Sequence, residues 1–337
     1  MASFCQHSTQ TEADSCTEAE YTRQWAGVRP CSNPCQSDAP QPTSGSWKRS
    51  AFSASSSLMV SEIPSLFDRE LYLARQRKAS AAQAPLLAQV AGDLAERLSV
   101  INHQFHNLLL ITSTPAPFEI VLNAASKFQS ITHAVPSASD ALNLSPQTYD
   151  AIFSLMDLHC VNDVPGYLAQ CSTALKPDGL FMSCCFAGET LNELRQSWLA
   201  AESETTGGAS LRIAPMIGVR EMGGLLQRAG LALPVTDSDH MTLRYADALA
   251  LLREIKNFGF SNPLTDRAKS FTTRRALGAL LNDYSQNFSD ADTRVRTTLD
   301  LLWAMAWKPH ESQPKPKKPG SATAKLADVL KQLDDNS

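Results

Sequence analysis

The residues of this sequence whose side chains could best take part in chemistry lie at the end of the apolar run YDAIFSL and just beyond it. The segment at residues 149–163 carries Ser154, Asp157, Leu158 and His159 at or just beyond the end of that run. A short apolar run fits a buried strand, and ligands of open α/β sheets bind beyond the carboxyl ends of strands. We therefore expect Ser154, Leu158 and His159 to border a ligand. For His159, orienting the loop by hydrogen bonds is an equally good role.

Three further polar residues are candidate substrate contacts. Thr190 and Arg195 follow the apolar run LFMSCCF, and Arg212 lies in the segment GGASLRIAP. An arginine binds planar acceptors such as carboxylates in bidentate fashion, so Arg212 could clamp a carboxylate or a peptide. Helix capping for Thr190 and a solvated helix face for Arg195 are the alternative roles.

The eight cysteines do not predict a metal site. Cys31 and Cys35 lack a second close pair and a paired histidine motif, so a zinc site is not expected. The cysteines of the body lie in apolar stretches and are expected to be buried thiols. No pattern of a nucleophilic triad, a phosphate-binding loop or a zinc hydrolase is present, and no catalytic residue is assigned.

Composition indicates a mildly charged globular protein. The 337 residues are 43% hydrophobic and 19% charged, with a formal net charge of −4, which argues against a generic nucleic-acid binder. No run of about 18 apolar residues predicts a membrane-spanning helix. The start of the sequence has acidic residues and no apolar stretch typical of a secretory signal. These features predict a cytoplasmic protein and leave peripheral membrane association open.

Apolar periodicity predicts alternating helices and strands. Helical spacing covers residues 66–80, 83–102, 118–126, 165–175, 189–204, 218–229, 244–258, 267–285 and a short stretch at 324–333. Strand patterns cover residues 107–112, 130–135, 149–155, 180–186, 231–245 and 295–307, with a turn at Pro177–Gly179. This alternation predicts an α/β fold with a largely parallel sheet. Asn162 or Asp163 is expected to cap a helix, and Gly230 is expected to end one.

The chain divides into four predicted regions. Residues 1–58, rich in Ser, Gln, Thr and Pro, are predicted to be a disordered tail, with Met59 as a candidate native start. Residues 59–106 form a helical lid, residues 107–310 the main domain with a helical insert, and residues 311–337 a Pro/Lys-rich tail. Mass spectrometry of the native N-terminus tests whether the protein starts at Met59, and peptides from residues 1–58 in the mature protein would refute this.

The first predicted helix carries an unusual number of basic residues. Arg69, Arg75 and Arg77 give it a basic face. This face either folds over a ligand cleft as part of the lid or is simply solvated.

Several segments in order resemble one family. They are LFDRELYLARQRKA (66–79), LHCVNDVPGYL (158–168), ALKPDGLFM (174–182), FAGETLNELRQS (186–197), GGASLRIAPM (207–216), GGLLQRAGLALPVTDSD (223–239) and WKPHESQPKPKKPGSA (307–322). This set is similar to the alphaproteobacterial methyltransferase-like proteins related to mitochondrial complex I assembly factor 5. The resemblance covers about residues 63–330.

The resemblance implies a Rossmann-like class I methyltransferase fold with a mostly parallel seven-strand sheet. The stretch between Ala134 and Tyr149 is short, so the third strand is expected to be truncated or absent. The family implies S-adenosylmethionine (SAM) as cofactor and a respiratory complex I subunit as partner. Its mitochondrial relative is described as hydroxylating an arginine.

The family's glycine-rich cofactor loop matches LLLITSTPAPF, residues 108–118. Thr112, Thr114 and Ala116 fall on glycine positions, and Leu110 falls on the usual acidic one. Without glycine, a left-handed loop residue costs about 1–2 kcal/mol. The second anchor, an acidic residue after strand 2, falls near His133. The cofactor contacts implied by the resemblance are thus Thr112, Thr114, Ala116, His133, Ser154, Leu158 and His159.

Two functions follow from these observations. The first is a SAM-dependent methyltransferase-like enzyme that modifies a protein side chain in complex I assembly. The alternative is a catalytically silent scaffold or assembly factor that has lost SAM binding, which the altered loop favours.

Overall fold

The computed structural model describes residues 65–79, 85–314 and 321. All of them lie in one compact unit, Val60–Ser337. The predicted tail at residues 1–58, the candidate start at Met59 and the short helix predicted at residues 324–333 lie outside the described residues.

Eight helices and six strands form the described part of the chain. The helices are α1 (Arg69–Lys78), α2 (Pro85–Val100), α3 (Ala116–Ala125), α4 (Val164–Ala174), α5 (Asn192–Thr206), α6 (Val219–Arg228), α7 (Ala248–Asn257) and α8 (Arg274–Asn287). The strands are β1 (Phe105–Ile111), β2 (Phe128–Ala134), β3 (Tyr149–Leu155), β4 (Leu175–Ala187), β5 (Ala232–Tyr245) and β6 (Val295–Trp307). Each corresponds to a helix or strand predicted from periodicity.

The six strands form one sheet in the order β2-β1-β3-β4-β6-β5. Strands β2, β1, β3 and β4 are parallel, with Leu108 opposite both Ile131 and Ala151. Strand β6 runs antiparallel to both β4 and β5. The predicted mostly parallel α/β fold is confirmed. Residues 135–148, between β2 and β3, form no strand, so the third strand expected to be truncated is absent there.

Hydrophobic cores lie on both faces of the sheet. Successive residues of β1 alternate between them: Leu108 and Leu110 join the core beneath α2, α3, α5, α7 and α8, whereas Leu109 and Ile111 join the core beneath α4 and α6. Side chains of a strand point to opposite faces in turn, so a strand covered on both sides is apolar throughout. This explains why β1 reads as a continuous apolar run.

The predicted turn at Pro177–Gly179 is an irregularity inside β4, which begins five residues earlier than the predicted start at residue 180. Asp178 has a φ of 64°, its amide donates to Lys308 O at 3.1 Å, and the Lys308 amide donates to Gly179 O at 2.8 Å. The turn thus pairs with the chain just after β6, and this pairing extends the strand through it.

Local capping agrees with the sequence. Asp163 caps α4 by accepting from the Gly166 amide at 2.8 Å, and Gly230 follows α6 with a φ of 74°. The four cysteines of the body, Cys160, Cys171, Cys184 and Cys185, are buried free thiols, as expected. Burial raises the pKa of each of these thiols, which keeps them protonated.

Candidate functional site

The turn between β1 and α3 lies at the carboxyl edge of the parallel strands. Thr112 is buried and its amide donates to Ala134 O at 3.4 Å, while the Thr114 amide donates to Thr112 Oγ1 at 3.3 Å. None of residues 112–117 has a positive φ. The strain expected for a loop without glycine therefore does not arise, because this turn uses no left-handed residue.

This turn offers a small number of donors to the carboxylate of an amino-acid-bearing ligand. Helix α3 begins at Ala116, and Pro115 before it provides no side-chain cap. The hydroxyl of Ser113 is buried with no hydrogen-bond partner among the described residues. Uncapped helix N-termini attract anions through unpaired amides and the positive end of the helix dipole. Pro115 and Pro117 have no amide, and the amides of Phe118 and Glu119 both donate to Pro115 O at 3.0 Å, so few donors remain for a ligand.

His133 is the last residue but one of β2. Its Nε2 lies 2.9 Å from Oε1 of Glu119 on α3, and the two side chains are 37% and 41% exposed. The chain continues as Ala134, Val135 and Pro136, without a carboxylate. His133 is thus held by α3 at the rim of the predicted cofactor site, and its contact with a cofactor stays a prediction.

A buried ion cluster lies at the end of β3. Two guanidinium nitrogens of Arg69 each donate to a separate oxygen of Asp157 at 3.0 Å, and Arg69 Nε lies 2.8 Å from Asp140 Oδ1 in an ion pair. The Asp140 carboxylate also accepts from the Asn162 amide at 2.8 Å. The side chains of Arg69 and Asp157 are 2% and 0% exposed. The solvated basic face, one of the two roles left open for Arg69, is therefore wrong for this residue.

Burial and charge act in opposite directions in this cluster. Burial raises the pKa of Asp157 above its usual range, although the charge of Arg69 acts to lower it. Burial alone would lower the pKa of Arg69, but Asp157 and Asp140 raise it above its ordinary value. The arginine therefore stays charged and holds both carboxylates.

Helix α1 is fixed to the sheet edge by polar contacts on both sides of this cluster. The Phe67 amide donates to Asn162 Oδ1 at 2.7 Å, and Asn162 Nδ2 donates to Phe67 O at 3.0 Å. The Tyr72 hydroxyl donates to Met156 O at 3.0 Å. The N-terminal helix is thus tied to the end of β3, and its role as a lid stays a prediction.

A mostly apolar cavity of about 220 Å³ lies beneath this helix. Its walls include Tyr72, Phe186, Trp198 and Phe260, from four separate parts of the chain. A few polar groups among apolar side chains are the usual lining of a ligand site, and this volume, below the roughly 300–1,000 Å³ of sites for drug-sized ligands, suits a small group. No residue of the β1–α3 turn lines it, so the predicted cofactor turn and the cavity are separate features of the same sheet edge.

His159 is a polar side chain set into the cavity wall. It lies in a short 3₁₀ turn after β3, is 7% exposed, and neither ring nitrogen has a hydrogen-bond partner among the described residues. Its ring packs edge-on against Phe186 and Phe260 at centroid distances of 4.9 and 5.5 Å. Burial, and then the charge of Arg69, lowers its pKa to about 3, so the imidazole is neutral at neutral pH.

Two of the three predicted substrate contacts, Thr190 and Arg212, line this cavity. Thr190 lines it, but its hydroxyl donates to Ala187 O at 2.7 Å and accepts from the Asp300 amide at 3.0 Å. Arg195 does not line it, and its Nη2 lies 3.5 Å from Ala214 O. Thr190 is thus held in a structural role within the cavity wall.

Arg212 lines the cavity with its planar group already engaged. Its Nε donates to Glu202 at 2.6 Å, and its guanidinium lies 4.4 Å from the ring centre of Trp198. Burial acts to raise the pKa of Glu202, but hydrogen bonds from Ser210 and Arg212 bring it below its usual range. A clamp by Arg212 would use its remaining nitrogen, Nη1, which now donates to Thr272 at 3.3 Å.

The other residues predicted after β3 divide between core and cavity. Ser154 is fully buried, and its hydroxyl lies 2.8 Å from the Tyr167 hydroxyl. Leu158 is packed in the core beneath α4 and α6. Of the predicted residues, the structure brings His159, Thr190 and Arg212 together around one cavity.

Sequence reasoning missed the partners that shape this site. Tyr72, Trp198 and Phe260 form its walls, and Glu254 is a further charged lining group. Asp157 had been noted only for its place after the strand. The sequence drew attention to helix α1 only through the segment Phe67–Arg69, which is part of the family resemblance. That segment did not reveal that Arg69 pairs with Asp157 and Asp140.

Among the described residues, no group of three or more His, Cys, Asp or Glu side chains is arranged to hold a metal ion. No helix in the same part of the chain is long and apolar enough to cross a membrane.

Comparison with known proteins identifies part of the chain. A family model described as a methyltransferase domain matches residues 91–183. The chain contains a methyltransferase domain. The match extends from α2 into β4 and includes the β1–α3 turn, Asp157 and His159. Most residues that line the cavity, among them Tyr72, Trp198 and Phe260, lie outside the matched range.

Curated relatives extend the similarity beyond this domain. The chain is 36% identical over 197 residues to "Arginine-hydroxylase NDUFAF5, mitochondrial" of Danio rerio, covering 58% of this chain and 61% of the relative. The Homo sapiens protein of the same name is 34% identical over 213 residues, covering 63% and 61%. A malonyl-[acyl-carrier protein] O-methyltransferase of Xylella fastidiosa is 32% identical over 168 residues, covering 50% and 55%. The chain thus spans about six tenths of the length of the two hydroxylases.

Solved structures show weaker similarity. The YcgJ protein of Bacillus subtilis has a TM-score of 0.40 at 11% identity, covering 65% of this chain and 99% of that chain. A Haemonchus contortus phosphoethanolamine N-methyltransferase 2 in complex with S-adenosyl-L-methionine has a TM-score of 0.34 at 14% identity, covering 66% and 53%. The strand order of this chain defines its fold without them.

Proposed function

We propose that this protein is a SAM-dependent, methyltransferase-like enzyme that modifies a protein side chain during respiratory complex I assembly. The observation that carries the proposal is the apolar cavity at the carboxyl edge of the methyltransferase domain, with the neutral His159 in its wall. The similarity to arginine hydroxylases supports a protein side chain as substrate. We place the enzyme in the cytoplasm, in peripheral contact with a membrane.

The cofactor would be held at the β1–α3 turn and the substrate group in the cavity. Thr112, Ser113 and Thr114 would hold the cofactor's carboxylate, aided by the N-terminus of α3. SAM supplies an activated methyl group when it is bound. The chain contributes proximity and an apolar cavity that excludes water, both of which favour group transfer. Arg212 is the proposed substrate contact in the cavity wall. Of the other two predicted contacts, Thr190 is held by Ala187 and Asp300, and Arg195 does not line the cavity.

A second candidate function is the silent scaffold, and one observation favours it. Asp140 and Asp157, two buried carboxylates at this edge, are both paired with Arg69. Both carboxylates of Asp157 and Asp140 are thus engaged by a cation of the chain itself, and Leu110 stands where an acidic residue would be expected. A protein that had lost SAM binding would keep its surfaces for partner recognition alone.

Titration calorimetry with SAM and with S-adenosylhomocysteine separates these functions. The enzyme predicts saturable heat with a micromolar Kd, whereas the scaffold predicts no heat at millimolar ligand with folded protein. Thr114→Asp should weaken the binding of SAM at least tenfold, because the new aspartate carboxylate at the turn would repel the carboxylate of SAM. Thr173→Asp, an exposed position on α4, is the matched control and should leave binding unchanged.

The proposed partner needs its own experiment. The tagged full-length chain is captured from its native host under mild conditions, and complex I subunits are sought by mass spectrometry. Their enrichment over a control capture supports a role in assembly. Their absence, when SAM binds, would leave an enzyme with a different target.

A further inference from the structure

The loop between α7 and α8 presents a fully exposed aromatic side chain among basic ones. We call residues 266–275, DRAKSFTTRR, the Phe271 loop. Phe271 is 99% exposed, the largest value among the exposed large hydrophobic residues of the described chain. Lys269, Arg274 and Arg275 are exposed as well, and none of them forms an ion pair among the residues described. Asp266 is the single acidic residue of the loop.

Contacts at both ends hold this loop in place. At its start, Arg267 pairs with Asp68 at 3.2 Å and donates to Leu264 O at 2.7 Å. At its end, Thr273 caps α8 by accepting from the Ala276 amide at 3.1 Å. The loop therefore presents Phe271 from a fixed base, between two anchored ends.

The Phe271 loop is in contact with the wall of the cavity. Arg212, in the cavity wall, donates to Thr272 of the loop at 3.3 Å. Asn262, also in the wall, donates to Leu211 O at 2.7 Å, and Leu211 is itself 54% exposed. The loop and the exposed Leu211 are thus each linked by a hydrogen bond to a residue of the cavity wall.

We propose that the Phe271 loop docks the protein on an anionic lipid surface, with Phe271 inserted among the acyl chains and Lys269, Arg274 and Arg275 at the headgroups. An apolar side chain backed by basic residues matches such an interface in both polarity and charge. An acidic protein surface would pair with the cations but would offer no apolar contact to the exposed side chain of Phe271. The inference rests on the peripheral membrane contact in the proposed function and assigns it to one loop.

Vesicle sedimentation of the full-length protein tests the assignment. The protein should sediment with vesicles of phosphatidylcholine mixed with phosphatidylglycerol and stay in solution with phosphatidylcholine alone. Phe271→Ala should weaken binding about tenfold or more, because burial of a Phe side chain is lost. Arg274→Ala and Arg275→Ala should each weaken it about fivefold, and added salt should weaken it further.

Matched controls keep the experiment specific. The double variant Arg220→Ala/Arg228→Ala removes two exposed cations from α6, and Ile120→Ala removes an exposed apolar side chain from α3. Both should bind vesicles as the unmodified protein does. Circular dichroism confirms that each variant is folded.

Three outcomes would overturn the proposal: no sedimentation with phosphatidylglycerol vesicles, full binding by Phe271→Ala, or equal losses in the controls. Capture by polyglutamate that is unaffected by Phe271→Ala, without vesicle binding, would assign the loop to an acidic protein instead. Calorimetry of Phe271→Ala with SAM keeps this result separate from the proposed enzyme. That variant should bind the cofactor as the unmodified chain does, whether or not vesicles bind.

Discussion

Replacement of Arg69 by methionine should destabilise this protein strongly at neutral pH. The guanidinium makes two 3.0 Å hydrogen bonds to Asp157, whose side chain is wholly buried, and an ion pair with the 9% exposed Asp140. Methionine fills much of the volume but leaves two carboxylates without their cation. Breaking a buried pair in this way costs about 3–5 kcal/mol.

The cost should depend on pH in a defined direction. The folded-state pKa of Asp157 is already raised, and loss of Arg69 raises it further. A carboxyl group with a raised folded-state pKa stabilises the fold below its unfolded-state pKa, and this stabilisation is lost as pH rises through the folded-state value. The Arg69→Met variant should therefore recover part of its stability as the pH falls from neutrality towards the ordinary pKa of a carboxyl group.

Urea unfolding followed by circular dichroism measures this effect. Arg267→Met is the matched control, since it breaks the partly exposed pair with Asp68 and should cost less than about 1 kcal/mol. The double variant Arg69→Met/Asp157→Asn should recover part of the loss, because it removes one of the stranded charges. A loss below about 1 kcal/mol for Arg69→Met, or a loss independent of pH, would refute the electrostatic account of the cluster.

Three further changes test other parts of the structure. His159→Leu should keep or raise thermal stability at neutral pH, because it removes a buried imidazole without partners. The folded-state pKa of about 3 makes the wild-type chain lose stability as pH falls below the unfolded value of about 6.5, and melts of the variant should lack this His159 contribution. Gly259→Ala should lower the midpoint of unfolding more than Gly207→Ala. Both glycines have positive φ, so either alanine is strained. An added Cβ at Gly259 would also lie 3.0 Å from Arg75 O, whereas no atom lies within 4 Å of one at Gly207. Asp163→Ala should cost about 1 kcal/mol in urea unfolding by uncapping α4, and no change would contradict its assigned cap.

The glycine-free turn shows how far sequence reasoning reached. The replacement of glycine at Thr112, Thr114 and Ala116 was visible in the sequence, and so was the loss of two donors to proline. The expected strain was wrong, because a loop can change its backbone path when its residues change. Only the φ angles revealed that this turn avoids the left-handed region altogether.

The cavity shows the opposite limit. His159 was a candidate because it follows a strand. The walls of the cavity that it lines, however, come from Tyr72, Trp198 and Phe260, which lie far apart in the chain. Apolar residues at such distances look like ordinary core positions in a sequence. Whether they close around a void or pack against each other depends on the crossing of helices, which periodicity does not specify.

The amino-acid sequence alone determined the succession of helices and strands, the mostly parallel sheet, the caps at Asp163 and Gly230 and the altered cofactor turn. These depend on periodicity, turn chemistry and composition within short stretches of chain. Tertiary structure alone decided that Arg69 is buried against Asp157, 88 residues away, and that Phe271 stands clear of the protein. Burial and ion pairing depend on which distant segments meet, and no local pattern encodes that meeting.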